Sequence, residues 1–246
     1  MEIEEKSVET SYGKIWYLEA GTGSKVFYFF HGFWGDPRGI NGLSSILIPK
    51  GYKIIAPYLP GHGKSHSLQF KFDFQDFLLE MEEFVKLTSG NLRIVLFGNS
   101  FGGGLAINLA RRLKTEGIIV SVPLLQSIKL DDYPRAIWEI SKDRIFDGLA
   151  AFSLKKDKRL TYFAELPKMK KRWLRDLISG VRLIKDFSLD KGYKLQTKSV
   201  IIRGNKDWVS RNYKKYNFDK HVALSGGHYY FLRQYDKFFK ELRESI

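Results

Sequence analysis

Ser100 stands in Gly98-Asn99-Ser100-Phe101-Gly102, directly after the apolar run Val95-Leu96-Phe97 and just before the helix-like Leu105-Ala106-Ile107-Asn108-Leu109-Ala110. A serine at a strand-to-helix corner is pushed out of the backbone trace with its hydroxyl exposed, and glycines two residues to either side let neighbouring backbone approach. It also sits at a helix N-terminus, where unpaired amides and the helix dipole favour developing negative charge. These are the needs of a nucleophile attacking a carbonyl carbon. A serine hydroxyl is weak in that role without a base in hydrogen-bond reach, and the base needs an orienting acid. The chain holds 5 histidines, at 31, 62, 66, 221 and 228. His228 follows Ser225-Gly226-Gly227 in a loop before the last expected helix, and Asp207 lies in Gly204-Asn205-Lys206-Asp207 just past the preceding strand. Loops at the carboxyl ends of parallel strands gather on one sheet edge, the edge of the Ser100 corner. We therefore read Ser100 as nucleophile, His228 as base and Asp207 as acid, with Asp131 and Asp132 as alternative acids. The oxyanion needs donors too. The backbone amides of Phe101, directly after the nucleophile, and of Phe33, after His31-Gly32, are the candidates.

The elements that must carry these residues follow from periodicity. Short strands are expected over Ile3 to Val8 and Ile15 to Glu19, around a Ser11-Tyr12-Gly13 turn. The continuous apolar run Val26 to Phe30 reads as a central strand buried on both faces. Further strands are expected over Lys53 to Pro57, Arg93 to Phe97, Gly117 to Val122, Ser199 to Arg203 and His221 to Leu224. Gly39 to Ile48 suits a short helix. Asp73 is placed to cap a helix whose apolar positions Phe74, Phe77, Leu78, Met81, Phe84 and Val85 follow helical spacing. Tyr229 to Ile246 reads as one closing amphipathic helix. Between Pro123 and Lys198 the strand–helix alternation stops. Met169, Trp173, Leu177, Ile178, Val181 and Ile184 mark one face of a basic amphipathic helix there. His31 is expected to hold backbone through its ring nitrogens, and His62 and His66 to be turn or surface residues.

Bulk composition sets the frame. With 246 residues, 43% hydrophobic and 15% aromatic, the chain can bury the core of one α/β domain with an insertion. It has no cysteine, which excludes disulfides, thiol nucleophiles and cysteine-ligated metals. The formal net charge is +14, and residues 126 to 198 carry 18 Lys and Arg against 10 Asp and Glu, a net of +8. Such a field attracts anionic carriers or surfaces; a solvated lysine-rich face is the plainer reading. No module of the known nucleic-acid binders is legible. Met1-Glu2-Ile3-Glu4-Glu5 lacks the layout of a signal peptide, and no apolar run approaches the roughly 20 residues of a membrane span. The expectation is a soluble, cytoplasmic protein.

The motifs together resemble the α/β-hydrolase superfamily: His31-Gly32-Phe33, Pro60-Gly61-His62-Gly63-Lys64-Ser65, Gly98-Asn99-Ser100-Phe101-Gly102-Gly103, Gly204-Asn205-Lys206-Asp207 and Gly227-His228, in that order. The chain order Ser100, Asp207, His228 matches that resemblance. It implies an α/β fold with a mostly parallel eight-stranded sheet flanked by helices, and a helical lid inserted after strand six. The corresponding division is core 1–122, lid 123–198, core 199–246. It also implies a serine hydrolase of esters or thioesters with an apolar acyl group, needing no cofactor and no metal. Trp34, Trp138, Phe146 and Phe163 are the candidates for the substrate wall.

Within the superfamily the loops point in different directions. The corner Gly98-Asn99-Ser100-Phe101-Gly102-Gly103 is similar to that of hydrolases cleaving carbon–carbon bonds in ring-fission products, yet His31-Gly32-Phe33-Trp34-Gly35-Asp36 lacks their oxyanion loop. Gly226-Gly227-His228-Tyr229-Tyr230-Phe231-Leu232 looks like the tail of type II thioesterases. The turn from Pro60 to Ser65 is typical of esterases and lipases. After Asp207 comes Trp208-Val209-Ser210-Arg211, where many relatives place a proline. Carbon–carbon bond hydrolysis, and a catalytically silent ligand-binding homologue, are the rival readings.

Overall fold

The computed structural model describes residues 2–33, 35–69, 71–128, 130–132, 134, 138, 173–187, 189 and 195–246. Its strands are β1 (Ile3–Glu9), β2 (Lys14–Ala20), β3 (Lys25–Phe30), β4 (Tyr52–Pro57), β5 (Arg93–Asn99), β6 (Gly117–Ser121), β7 (Lys198–Gly204) and β8 (Lys220–Leu224). Among the described residues these form one eight-stranded sheet in the order β1-β2-β4-β3-β5-β6-β7-β8. Pairing is antiparallel for β1 with β2 and β2 with β4, and parallel from β4 through to β8. The expected mostly parallel α/β fold is what the chain adopts.

Alternating side chains explain why the sheet is covered on both sides. In β3, Val26, Tyr28 and Phe30 enter one core, while Phe27 and Phe29 enter the other. The first core lies under α2 (Phe74–Ser89) and α3 (Phe101–Ala110), with Phe74, Phe77, Met81, Phe84 and Leu105 buried. The second lies under α1 (Ile40–Leu47) and the C-terminal helices, with Ile40, Leu47, Tyr230, Phe238 and Leu242 buried. The run Val26 to Phe30 has no polar face to offer water, so it must sit between two layers. The N-terminus of α2 is capped as expected: Asp73 accepts from the amides of Gln75 and Asp76, and Asp76 in return accepts from the Asp73 amide.

Three expectations need correction. The strand over Gly117 to Val122 stops at Ser121, because Val122 turns to a φ of 40°. The single closing helix is broken into α5 (Tyr230–Arg233) and α6 (Tyr235–Ser245), with Gln234 at φ −108° and ψ 32° between them. The break accompanies two anchor points: Tyr230 Oη pairs with Ser121 Oγ at 3.0 Å, and the Phe238 ring packs against Phe97 at 6.3 Å. His66, expected at a turn or surface, has a side chain only 17% exposed and pairs with the fully buried Glu80 of α2 at 2.7 Å. Glu80 also accepts from Thr10 Oγ1 at 2.8 Å, so one carboxylate ties the β1–β2 turn and the segment after β4 to α2.

Most of the expected lid falls outside the described residues. The helix α4 (Trp173–Asp186) lies within that range, and its last part reaches the core: Leu183 and, just beyond it, Phe187 are buried. The Phe187 ring meets Phe74 at 5.0 Å. No helix among the described residues is long and apolar enough to cross a membrane.

Candidate active site

The site assembles at the carboxyl ends of the strands. Ser100 follows β5 directly and takes φ 54° and ψ −116°, a backbone state that a side chain strains to adopt. The strain turns β5 abruptly into α3. Space is the second requirement: a Cβ on Gly98 would lie 2.0 Å from the Gly102 carbonyl oxygen, and one on Gly102 would lie 2.2 Å from the Phe30 carbonyl oxygen. Backbone from β6 then locks the corner. The Ser100 amide donates to the Ser121 carbonyl at 2.9 Å, and the Leu124 amide donates to the Ser100 carbonyl at 2.8 Å. Val122, between these two anchors, donates to the Ile202 carbonyl at 3.0 Å from its own left-handed backbone. A β-branched residue in that region is a true outlier, and no sequence pattern marks it.

Asp207 and His228 arrive from the loops after β7 and β8. Asp207 Oδ1 lies 2.8 Å from His228 Nδ1, and His228 Nε2 lies 3.0 Å from Ser100 Oγ. An ionised carboxylate only accepts, so Nδ1 carries the proton and Nε2 is left to accept from the serine hydroxyl. Both Asp207 and His228 are buried, at 2% and 4% exposure, whereas Ser100 is half-buried. Burial by itself favours the neutral acid at Asp207. The adjoining His228 imidazole and the donors of Ser210 outweigh it, and the carboxyl is held below the usual carboxylate range. The remaining donors are the Val209 amide on Oδ1 at 3.2 Å, and the Ser210 amide, at 2.9 Å, and hydroxyl on Oδ2. The alternative acids Asp131 and Asp132 lie in a short 3-10 turn, one exposed and one half-buried; it is Asp207 that meets His228.

The loop after β3 lies against Ser100. A Cβ on Gly32 would be 3.2 Å from Ser100 Cβ, and the Phe33 ring sits 6.2 Å from that of Phe101. His31 shapes this loop. Its Nδ1–H donates to the Gly32 carbonyl at 2.8 Å, and its Nε2 accepts from the Leu59 amide at 3.2 Å. One donor and one acceptor define a neutral imidazole. Burial, reinforced by the nearby His62, pushes the His31 pKa down to about 3 against the pull of the Gly32 carbonyl. His62 is part of the same wall, its ring 5.8 Å from Phe33. The Phe33 ring also fills the space above Gly180 of α4, where a Cβ would fall 2.0 Å from Phe33 Cε2. Of the expected substrate wall, Trp138 is 66% exposed; Trp34, Phe146 and Phe163 lie outside the described residues. The sequence reading did not single out Ser210, Leu124 or Val122, whose roles depend on contacts rather than on residue type.

The chain is similar to proteins that are already known. The sequence profile described as the alpha/beta hydrolase family matches residues 27–241. A Mycoplasma pneumoniae protein given the provisional name esterase/lipase 1 is 39% identical over 111 residues, which are 43% of this chain and 39% of that protein. Among solved structures, the thioesterase domain from the curacin biosynthetic pathway superposes with a TM-score of 0.68 at 18% identity, over 99% of both chains. A thermophilic esterase from Thermogutta terrifontis superposes with a TM-score of 0.72 at 16% identity, over 98% of this chain and 97% of its own. At such identities the structural likeness speaks for the fold alone.

Proposed function

Because the chain belongs to the alpha/beta hydrolase family, we propose that it is a serine hydrolase cleaving carboxylic esters or thioesters with an apolar acyl group. The observation that carries this reading is the unbroken line Asp207 Oδ1, His228 Nδ1, His228 Nε2, Ser100 Oγ, with steps of 2.8 and 3.0 Å. His228 Nε2 takes the Ser100 proton as Oγ attacks the carbonyl carbon. Asp207 keeps the imidazole in the right tautomer and stabilises the imidazolium. The carbonyl oxygen, now an anion, is received by the amides of Phe33 and Phe101. Collapse breaks the bond to the alcohol or thiol, which leaves with the proton from His228. A water then gives its proton to His228 and attacks the acyl-enzyme. The acid departs as the proton returns to Ser100. The Phe33 ring, partly exposed and packed against the core beside Ser100, supports an apolar acyl group.

Ser100→Ala tests the reading. Hydrolysis of short p-nitrophenyl esters should fall by about 10⁴-fold or more in kcat, and labelling by a fluorophosphonate probe should vanish. Full activity in S100A would sink the assignment. A wild-type chain that neither turns over esters nor takes the probe would instead favour the silent homologue.

A further inference from the structure

Asp207 uses its two oxygens for different partners, and the residue responsible lies three positions further along the chain. Oδ1 faces His228 Nδ1 at 2.8 Å, while Oδ2 receives both the amide of Ser210 at 2.9 Å and its hydroxyl. Ser210 is fully buried. On its other side, Arg203 Nε lies 3.4 Å from Ser210 Oγ. A guanidinium N–H can only donate. It occupies a lone pair of the hydroxyl, and the single hydroxyl proton is left to point at Asp207. Arg203 is itself held: it is 9% exposed, and its guanidinium lies over the Tyr213 ring at 4.4 Å.

From this geometry we propose that Ser210, oriented by Arg203, is a positioning residue that fixes the plane of the Asp207 carboxylate so that Oδ1 stays aimed at His228. The proposal rests on the reading of Ser100, His228 and Asp207 as the reacting set. Two donors on Oδ2 and a third, from Val209, on Oδ1 prevent the carboxylate from rotating without losing bonds. The loop after Asp207 contains no proline; its shape is held by these bonds and by the Arg211 guanidinium stacked 4.5 Å over Trp208. The titratable and charged groups around Asp207 are His228 in direct contact, Arg203 through Ser210, and Tyr230. The Tyr230 hydroxyl is pushed up by burial and, in part, by the Asp207 charge.

Removing the hydroxyl takes away a charge-assisted bond and leaves Asp207 a less stabilised anion. In Ser210→Ala, kcat should fall roughly 10-fold with KM within about twofold, and the acid limb of kcat/KM should move up by about half a pH unit. Ser210→Thr, which keeps a hydroxyl, should restore both. Ser210→Cys, close in size and a weak donor, repeats the loss if the alanine variant does not fold. A second measurement needs no substrate: the downfield Nδ1 proton of His228, followed by NMR, should shift and exchange faster in S210A or S210C than in wild type and S210T. Wild-type kcat, acid limb and proton resonance in S210A or S210C overturn the proposal, even with a lowered melting temperature. Ser100→Ala is run in parallel. If it retains activity, the hydrolase reading falls, and the His228 resonance alone decides the role of Ser210.

Discussion

At Ser100 the backbone is bent to the purpose of the side chain. The φ of 54° and the hydrogen bonds to Ser121 and Leu124 hold the hydroxyl at a corner within reach of His228. The partner residues are more deeply buried, and that difference suits the tasks of the proposed mechanism, in which the nucleophile must meet substrate and the acid must hold its charge beside the imidazole. Asp207→Asn tests the second task. An amide at this position offers Nδ1 either a donor clash or a neutral acceptor, so the imidazole tautomer is no longer imposed. We expect kcat to fall by about 10⁴-fold with little change in melting temperature, read by ester hydrolysis beside a thermal melt. A variant that loses its fold and its activity together would instead assign Asp207 a structural role.

At the scale of elements, two termini do different work. The N-terminus of α3 lies beneath Ser100, where its first amides face the reacting carbonyl in the proposed mechanism. The N-terminus of α2 is satisfied by its own capping box and touches no reacting group. Asp73→Ala should therefore cost about 1 kcal/mol of stability, measured by urea unfolding, with kcat unchanged. The loop after β3 is an element held by one neutral ring. His31 connects the Gly32 carbonyl to the Leu59 amide, and both bonds need the imidazole with a single proton. The loop that is proposed to supply an oxyanion donor thus depends on a histidine that never charges in the working range.

At the scale of the molecule, the buried His31 and the half-buried His66 give the pH dependence of stability opposite slopes. His31 has its folded pKa depressed from 6.5 to about 3. The unfolded chain binds the proton first, so its contribution is present above pH 6.5 and is lost as pH falls. By pH 5 the loss amounts to about 2 kcal/mol. His66 is shifted the other way: burial lowers its pKa, but the hydrogen bond and charge of Glu80 overcome this and hold it above 6.5. Its contribution is full below pH 6.5 and is lost as pH rises through the folded value. Unfolding free energies measured from pH 5 to 9 should show His31→Gln flattening the acid side and His66→Gln flattening the alkaline side. The reverse pattern, or two variants that behave alike, would contradict the assignment.

What the sequence determined by itself is what short-range spacing can encode. Gly98 and Gly102 around Ser100, the apolar runs of β3 and β5, and the capping Asp73 each depend on neighbours within a few residues, and each reads correctly from the chain. The Asp207 and His228 positions were legible for a related reason: parallel strands send their following loops to one edge, so order along the chain becomes proximity in space. Tertiary structure decided the rest. Whether Asp207, Asp131 or Asp132 meets His228 depends on how loops from separate strands fold over the sheet edge. The break at Gln234, the buried Glu80–His66 pair, the left-handed Val122 and the Arg203–Ser210 support of Asp207 have no local signature. They arise because close packing brings together side chains whose types alone do not name their partners.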